Sequence, residues 1–225
     1  MAMTANTTPV CVLTGDIVRS GALSAETLDG VMAGIEAFSG VVAAWPGAPD
    51  VREERFRGDG WQLYLGAPRW TLRAALGLRA AIRSRHPSVE TRLAAAFGPA
   101  RLGARLAASS GAAFEASGRA LEGLGTRRLW RFGGGLGSVA LDDLADGLFA
   151  VCDRCSQGWT GRQAEVFGRL AVPDAPAMID VAAALEVAPQ TVHAHFERAD
   201  GHALLDAVAR FEAAVDSVVP GPSVE

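Results

Sequence analysis

The sequence predicts an α+β fold followed by an all-α segment, and three observations lead to this prediction. Up to about residue 150, short apolar runs typical of strands alternate with stretches in which apolar residues recur at helical spacing. After residue 157 only the helical spacing remains. The chain has 225 residues, of which 49% are hydrophobic and 20% are charged, so it can bury a sizeable core and is not expected to be disordered.

The first domain, residues 8–150, is predicted to contain a βαββαβ core. Pro9–Ile17 is typical of a buried strand, and Ser24 is a suitable N-cap for the next helix. Gly58-Asp59-Gly60 is typical of a hairpin turn, because such a turn needs residues that tolerate a positive φ. The other elements are the hairpin strands Arg52–Arg57 and Trp61–Leu65, a helix ended by His86-Pro87, the strand Thr91–Gly98, the helix Ala112–Leu124, the strand Arg128–Phe132 and the helix Val139–Cys155. This order predicts a ferredoxin-like antiparallel sheet with helices on one face.

The second domain, residues 157–217, is predicted to be entirely helical. Thr160-Gly161-Arg162-Gln163 fits a capping box, in which the Thr and Gln side chains each satisfy a free backbone N–H. Three short helices are expected at about 161–171, 177–186 and 189–198. A final helix follows Asp200, which is a suitable N-cap residue.

Charge is distributed unevenly along the chain. All 21 cationic residues are arginine, and the absence of lysine excludes a lysine base, a Schiff base and a Walker-type phosphate loop. Residues 1–150 carry a net charge of +2, whereas residues 151–225 carry −6. The three cysteines form no disulfide framework, and the chain shows neither a secretory signal nor an apolar run long enough for a membrane span. The sequence therefore predicts a soluble cytoplasmic protein with no membrane partner.

Two aspartates stand where strands end. Asp16 follows the first strand and Asp59 lies in the hairpin turn, and in a βαββαβ sheet these places can lie side by side. Two carboxylates held there form a hard-oxygen site suited to Mg²⁺ or Mn²⁺, and such a site can bind nucleotide phosphates. Alternatively, Asp16 caps a turn and Asp59 serves only the hairpin.

The residues around these aspartates resemble known families. Leu13–Ser20, together with the domain order, resembles the SatD-like family of bacterial proteins. The first domain, over about residues 10–132, also resembles class III nucleotidyl cyclase catalytic domains. That resemblance rests on Asp16-Ile17, on the hairpin Gly58-Asp59-Gly60, on the strand Thr91–Gly98 and on the helix Gly111–Leu121.

The cyclase resemblance implies a set of site residues. Asp16, Asp59 and the Ile17 carbonyl would hold two divalent cations that bind a nucleoside triphosphate or a related nucleotide. Arg119 would be catalytic and would stabilise charge on the transferring phosphoryl group, and the site would form in a homodimer. Glu115 stands where the family has a ribose-orienting Asn, and Arg55 or Arg57 stands in the strand of the base-reading Lys. Alternatively, Arg119 is a surface arginine paired with Glu115 at i, i+4.

In the second domain, Val181–Val192 resembles a helix-turn-helix. In DNA-binding members the second helix enters the major groove, so the early residues of this helix would reach base edges. Those candidates are Gln190, Thr191, His193 and His195, with Arg198 near the phosphates. The net charge of −6 opposes DNA binding, because phosphate contacts supply much of DNA affinity. A docking or dimerisation domain is the alternative.

Three further patterns receive structural interpretations. The pair Cys152 and Cys155 is interpreted as ordinary thiols, because no further zinc ligands accompany it. Gly133–Gly137 is interpreted as a flexible connection. A row of arginines is interpreted as a solvated helix face; it comprises Arg69, Arg73, Arg79, Arg83 and Arg85.

Three functions remain open from the sequence. The first is a cytoplasmic regulator that couples a metal- and nucleotide-binding domain to a DNA- or partner-binding domain. The second is an active class III-type nucleotidyl cyclase, which forms a cyclic nucleotide from a nucleoside triphosphate. The third is a structural dimer with a vestigial site.

Overall fold

A five-stranded sheet forms the centre of the protein. The computed structural model describes residues 5–47, 50–56, 58–125 and 127–219. The sheet has the strand order β2-β3-β1-β4-β5. Its strands are β1 (Ala5–Ile17), β2 (Val51–Phe56), β3 (Gly60–Leu65), β4 (Thr91–Arg101) and β5 (Trp130–Phe132).

Eight α-helices surround the sheet within the described ranges. Four of them, α1 (Ala25–Ala43), α2 (Thr71–Arg85), α3 (Ala112–Glu122) and α4 (Val139–Gln157), alternate with the strands or follow the last one. The others are α5 (Gly161–Leu170), α6 (Met178–Ala184), α7 (Pro189–Arg198) and α8 (Gly201–Val218). None of the described helices has the length and apolar character needed to cross a membrane.

Two helix starts follow the sequence predictions and one does not. The Ser24 hydroxyl accepts a hydrogen bond from the Thr27 amide at 3.1 Å, as predicted for the N-cap of α1. The predicted capping box at Thr160 and Gln163 is also confirmed. Asp200, in contrast, takes a left-handed conformation (φ 55°) and makes no side-chain cap bond, so its carboxylate does not cap α8.

The sheet is covered on both faces, so the prediction of helices on one face is wrong. Strand residues point alternately to opposite faces. Cys11 and Leu13 belong to the large core that contains α1 and α2, whereas Val10 and Val12 pack against Ala113 of α3 in a second apolar cluster. The second covered face is explained by β5, which lies beyond the βαββαβ core. This strand pairs parallel to β4, and α3 is the crossover that connects the two strands.

The glycine loop after β5 is fixed to the sheet rather than flexible. The Gly133 amide donates to the Ala95 carbonyl at 2.7 Å, and the Phe97 amide donates to the Gly134 carbonyl at 2.9 Å. An ideal Cβ on Gly135 would lie 2.4 Å from the Phe97 carbonyl oxygen. Glycine is therefore needed here for close approach to β4, and the prediction of a flexible connection is wrong.

The apolar core is continuous from the sheet to the last helix. Phe211 of α8 is 4% exposed and its ring lies 6.4 Å from Phe97, 6.3 Å from Phe132 and 5.8 Å from Phe149, measured between centroids. The same cluster of buried side chains includes residues of β1 and of every helix from α4 to α8. The helices after residue 157 therefore pack on the first part of the chain.

Four arginines before and along α2 form much of this contact, so the solvated-face prediction is wrong for them, whereas Arg85 is exposed as predicted. Arg79 is 1% exposed and donates to the Asp153 carboxylate of α4 at 2.7 Å. Arg73 donates to both carboxylate oxygens of Glu212 in α8 at 2.6 and 3.0 Å. Arg69 pairs with Asp216 at 2.8 Å, and Arg83 donates to the Trp159 carbonyl at 2.9 Å. The acidic C-terminal third thus supplies counter-charges for these arginines.

Candidate functional site

The strand register brings three charged residues to one edge of the sheet. In the antiparallel pairing of β1 with its two neighbours, Asp16 is opposite Gly60 of β3 and opposite Arg92 of β4. Asp59 directly precedes Gly60, and its carbonyl accepts a hydrogen bond from the Ile17 amide at 3.2 Å. Asp16, Asp59 and Arg92 therefore lie around the end of one central strand.

Packing behind this edge depends on a glycine. An ideal Cβ on Gly15 would lie 2.3 Å from the ring of Trp61, so only glycine leaves room for this fully buried indole. The indole Nε1 of Trp61 donates to the Thr91 hydroxyl at 2.9 Å, and that hydroxyl donates to the Asp16 carbonyl at 2.8 Å. These two hydrogen bonds hold the backbone at Gly15 and Asp16 in place and so orient the backbone that carries the Asp16 side chain.

A cavity of about 510 Å³ opens at this edge. We call it the strand-edge cavity; its polar lining includes Asp16, Arg19, Ser20, Asp59 and Arg92, and Leu124 and Leu129 supply an apolar wall. Ligand pockets in proteins commonly have volumes of about 300–1,000 Å³. The cavity is therefore large enough for a small molecule and offers charges of both signs.

Both carboxylates of this cavity accept hydrogen bonds from neighbouring side chains. Arg92 donates to both oxygens of Asp16, at 2.8 Å through Nε and at 2.5 Å through Nη2. The hydrogen bonding of Arg92 to Asp16, together with the negative charges of Asp16 and Asp59, raises the pKa of the Arg92 guanidinium. Ser20 donates a short hydrogen bond to the Asp59 carboxylate.

Arg19 is the exception among these charged groups. Its side chain is exposed and lines the strand-edge cavity, and it has no ion-pair partner among the residues that the structure describes. Its backbone takes the left-handed conformation (φ 54°, ψ 38°), which is uncommon for a residue other than glycine. This conformation begins the short turn of 3₁₀ helix that carries Ser20. The cavity thus has an unpaired cation at its rim.

The oxygen donors of the strand-edge cavity are of the kind that binds a divalent cation. The carboxylates of Asp16 and Asp59 and the Ile17 carbonyl are hard oxygen donors of the kind that Mg²⁺ and Mn²⁺ prefer. The described residues contain no group of three His, Cys, Asp or Glu residues placed to hold a metal. Both Asp16 oxygens already accept hydrogen bonds from Arg92, so a cation at Asp16 would compete with this ion pair.

Arg119 and Glu115 lie apart from the strand-edge cavity. They form an exposed i, i+4 pair on α3, with 3.6 Å between Nη1 and Oε2. Arg119 lines a different cavity, of about 350 Å³, next to Asp142 and Asp146. Within one chain the structure therefore does not bring Arg119 together with the two aspartates, and the catalytic role of Arg119 stays a prediction.

Arg55 is used locally. Its Nη1 donates to Asp29 of α1 at 2.7 Å, and its Nε donates to the Gly58 carbonyl of the hairpin turn at 2.5 Å. These bonds tie the hairpin to α1 and leave Arg55 outside the lining of the strand-edge cavity. Arg57 lies outside the described residues, so its predicted role in nucleotide binding stays a prediction.

The residues predicted to contact DNA lie on α7. Gln190, Thr191, His193 and Arg198 are exposed, whereas His195 is half-buried. The turn before this helix contains Glu186 with φ 53°, a conformation that glycine would adopt more easily. The Glu197 Oε1 atom lies 3.9 Å from Nε2 of His193 and 3.0 Å from Nε2 of His202, so part of this surface is acidic.

The two cysteines of the Cys152–Cys155 motif are free. Burial raises the pKa of the Cys152 thiol to about 12, and it also raises the pKa of Cys155. Neither thiol has the electropositive, exposed surroundings that activate a cysteine. The important residue of this motif is instead Asp153, which is 2% exposed and accepts hydrogen bonds from Arg79 and from the Leu129 and Trp130 amides.

Sequence reasoning missed three polar side chains of the strand-edge cavity: Arg19, Ser20 and Arg92. Arg92 carried a usable signal, because it is the second residue of a predicted strand and Asp16 is the second-last residue of another. If these strands are antiparallel neighbours with aligned ends, the two side chains are cross-strand partners. Ser20 and Arg19 carried no comparable signal, since their positions depend on a local turn.

The fold and the cavity define an α+β protein with an ion-paired polar cavity at a sheet edge. No protein-family model matches the chain, and no curated protein matches it. Among solved structures, the chain is similar to the crystal structure of the guanylyl cyclase Cya2. The sequence identity is 18% and the TM-score is 0.41, over 54% of this chain and 72% of that chain. The function of the chain is therefore inferred from the chemistry of the strand-edge cavity.

Proposed function

We propose that this chain is a regulatory protein that binds a nucleoside polyphosphate together with Mg²⁺ or Mn²⁺ in the strand-edge cavity. The observation that carries the proposal is the lining of this cavity, in which two carboxylates lie beside two guanidinium groups and Arg19 has no ion-pair partner in the described part of the chain. Membership of the SatD-like family, suggested by Leu13–Ser20 and the domain order, is part of this proposal.

The charges favour a ligand that brings both signs. A cation alone at Asp16 would compete with Arg92 for this carboxylate and weaken their ion pair. A polyphosphate alone would place negative charge beside Asp16 and Asp59. A metal–nucleotide complex avoids both costs, because its phosphate oxygens pair with Arg92 and Arg19 while its cation takes the carboxylates. The metal would supply charge neutralisation of the phosphates.

The test is a melting experiment with Mg²⁺ or Mn²⁺ alone, with nucleoside triphosphate alone, and with both. We expect the combination to raise the melting temperature by more than the sum of the two separate shifts. At a ligand concentration of about 100 times Kd, the gain is about 2.7 kcal/mol, which corresponds to about 5–10 °C for a domain of this size.

The matched variants are Arg92→Gln and Arg119→Gln. Arg92→Gln removes the combined shift, because it removes a phosphate partner inside the cavity. Arg119→Gln leaves the shift unchanged, since Arg119 lies on another surface. Equal shifts in all three proteins would contradict the site, and the absence of any shift would leave the protein as a structural dimer with a vestigial site.

An active cyclase is the second candidate. It requires Arg119 from a second chain, because Arg119 of the same chain pairs with Glu115 away from the aspartates. Incubation with Mn²⁺ and labelled nucleoside triphosphates distinguishes the two candidates. A cyclic product that disappears in Asp59→Ala would establish the cyclase, and binding without a product is the outcome that the proposal expects.

We propose that α6 and α7 form the surface through which this regulator binds DNA. Gln190, Thr191 and His193 are exposed near the start of α7, where a helix in the major groove presents its base-reading residues. The acidic neighbour Glu197 limits the affinity. Because phosphate contacts release counter-ions, we expect the complex to weaken as the salt concentration rises.

A gel-shift titration with duplex DNA tests this surface. We expect a complex at about 50 mM salt that is weakened at least tenfold by about 200 mM salt. Arg198→Ala should weaken the complex, whereas Arg210→Ala should not, because Arg210 is an exposed arginine of α8 that already faces Asp206. The absence of any complex at the lower salt concentration would remove DNA and leave a protein partner.

A further inference from the structure

The outer face of α4 is apolar although it is exposed. Apart from Val139 at its first position, the exposed residues of this helix recur at the spacing of one helix face; they are Ala140, Asp143, Leu144, Gly147, Val151 and Arg154. Leu144 is 71% exposed and Val151 is 60% exposed. The inner face, with Phe149 and Cys152, is buried in the core of the same chain. A second apolar face on one helix indicates an interaction surface.

We infer that this face of α4 pairs with α4 of a second copy of the chain in an antiparallel helix pair. Ala140, Leu144, Gly147 and Val151 are spaced by four, three and four residues, which is the seam of a helix–helix contact. This interface does not involve the strand-edge cavity and is independent of the proposed nucleotide binding.

Charge at the ends of the seam favours a second copy over another partner. Asp143 lies toward the start of the face and Arg154 lies toward its end. Neither side chain has an ion-pair partner among the residues that the structure describes. In a two-fold antiparallel pair, Asp143 of each copy lies near Arg154 of the other, so the pair forms two ion pairs with the same surface.

Side-chain size is complementary about the same axis. The alignment that joins the charged residues places Gly147 opposite Ala150 of the second copy and one residue, about 1.5 Å along the helix axis, from Val151. An ideal Cβ on Gly147 meets no heavy atom within 4 Å, so the chain itself does not require glycine at this position. Glycine is also unfavourable inside a helix. A notch at Gly147 that receives Val151 of the second copy accounts for the glycine at this position.

Sedimentation velocity of the full chain over a range of concentrations tests the inference. We expect a monomer–dimer equilibrium for the native sequence and a monomer for Leu144→Asp. Single charge reversals, Asp143→Arg or Arg154→Asp, should each raise the dimer dissociation constant by about tenfold or more, since each creates two like-charge contacts. The double reversal should restore the dimer.

Glycine variants provide the matched control. Gly147→Leu fills the notch and should weaken the dimer by about tenfold without lowering the melting temperature. Gly118→Leu, at an α3 glycine that also has open space at Cβ, should leave the dimer unchanged. A native chain that stays monomeric would overturn the inference, as would a double reversal that is no tighter than either single variant.

Discussion

Removal of the Asp153 carboxylate by an Asp153→Ala substitution lowers the free energy of unfolding by about 3–5 kcal/mol, because it breaks a buried ion pair and leaves Arg79 with only the more distant Glu90, at 3.5 Å, as a counter-charge among the described residues. Asp153 and Arg79 are 2% and 1% exposed, and the carboxylate also accepts from the Leu129 amide at 2.7 Å. Burial lowers the pKa of the Arg79 guanidinium, and the negative charges of Glu90 and Asp153 oppose this shift. Urea unfolding followed by circular dichroism measures the loss.

The matched control is an exposed pair of the same chemistry. Arg162 donates to Glu165 at 2.6 Å, but the Arg162 side chain is half exposed. Glu165→Ala should cost less than about 1 kcal/mol, since exposed pairs contribute little. A similar small loss for Asp153→Ala would show that the α2–α4 contact is not the buried ion pair described here.

Truncation of Phe211 to alanine should lower the free energy of unfolding by about 3–5 kcal/mol. The ring is 4% exposed and lies among Phe97, Phe132 and Phe149, so alanine leaves a cavity where α8 meets the sheet. Because the core is continuous, the loss should appear in one cooperative transition that includes the sheet.

Val218→Ala is the control on the same helix, because Val218 is 41% exposed and its removal empties no buried site. It should change the free energy of unfolding by less than about 0.5 kcal/mol. Two separate transitions in Phe211→Ala, with the one that reports on the sheet unchanged, would contradict a shared core and support an independently folded helical domain.

Local signals explain why most of the elements could be predicted. The hairpin at Gly58-Asp59-Gly60, the Ser24 cap and the Thr160 capping box each depend on residues within four positions of one another. Such features can be predicted from short stretches of sequence. The parallel pairing of β5 was harder to predict, since β5 has only three residues and its partner strand lies across α3.

The burial of the α2 arginines could not be read from the sequence. Arg79 meets Asp153, 74 positions away, and Arg73 meets Glu212, 139 positions away. A row of arginines on a helix is usually solvated, and only the docked C-terminal helices reverse that expectation. The opposite net charges of the two parts of the chain were the available signal.

The candidate site was partly predictable from the order of the strands. The strand order implied by the βαββαβ pattern places Asp16 near Asp59, and both line the strand-edge cavity. Their predicted role as metal ligands stays a prediction. The ion pair of Asp16 with Arg92 was not predicted, because it depends on β1 and β4 being antiparallel neighbours with aligned ends, a register that links distant parts of the sequence.

The most direct test of the central claim is a Mn²⁺ titration followed by electron paramagnetic resonance, with and without a nucleoside triphosphate analogue that cannot be hydrolysed. The account predicts that the protein retains Mn²⁺ much more tightly than the free analogue does when both are present. It also predicts that Asp16→Asn weakens this binding by about tenfold or more. Equal Mn²⁺ binding by the native protein and Asp16→Asn would contradict a metal–nucleotide site at the end of β1.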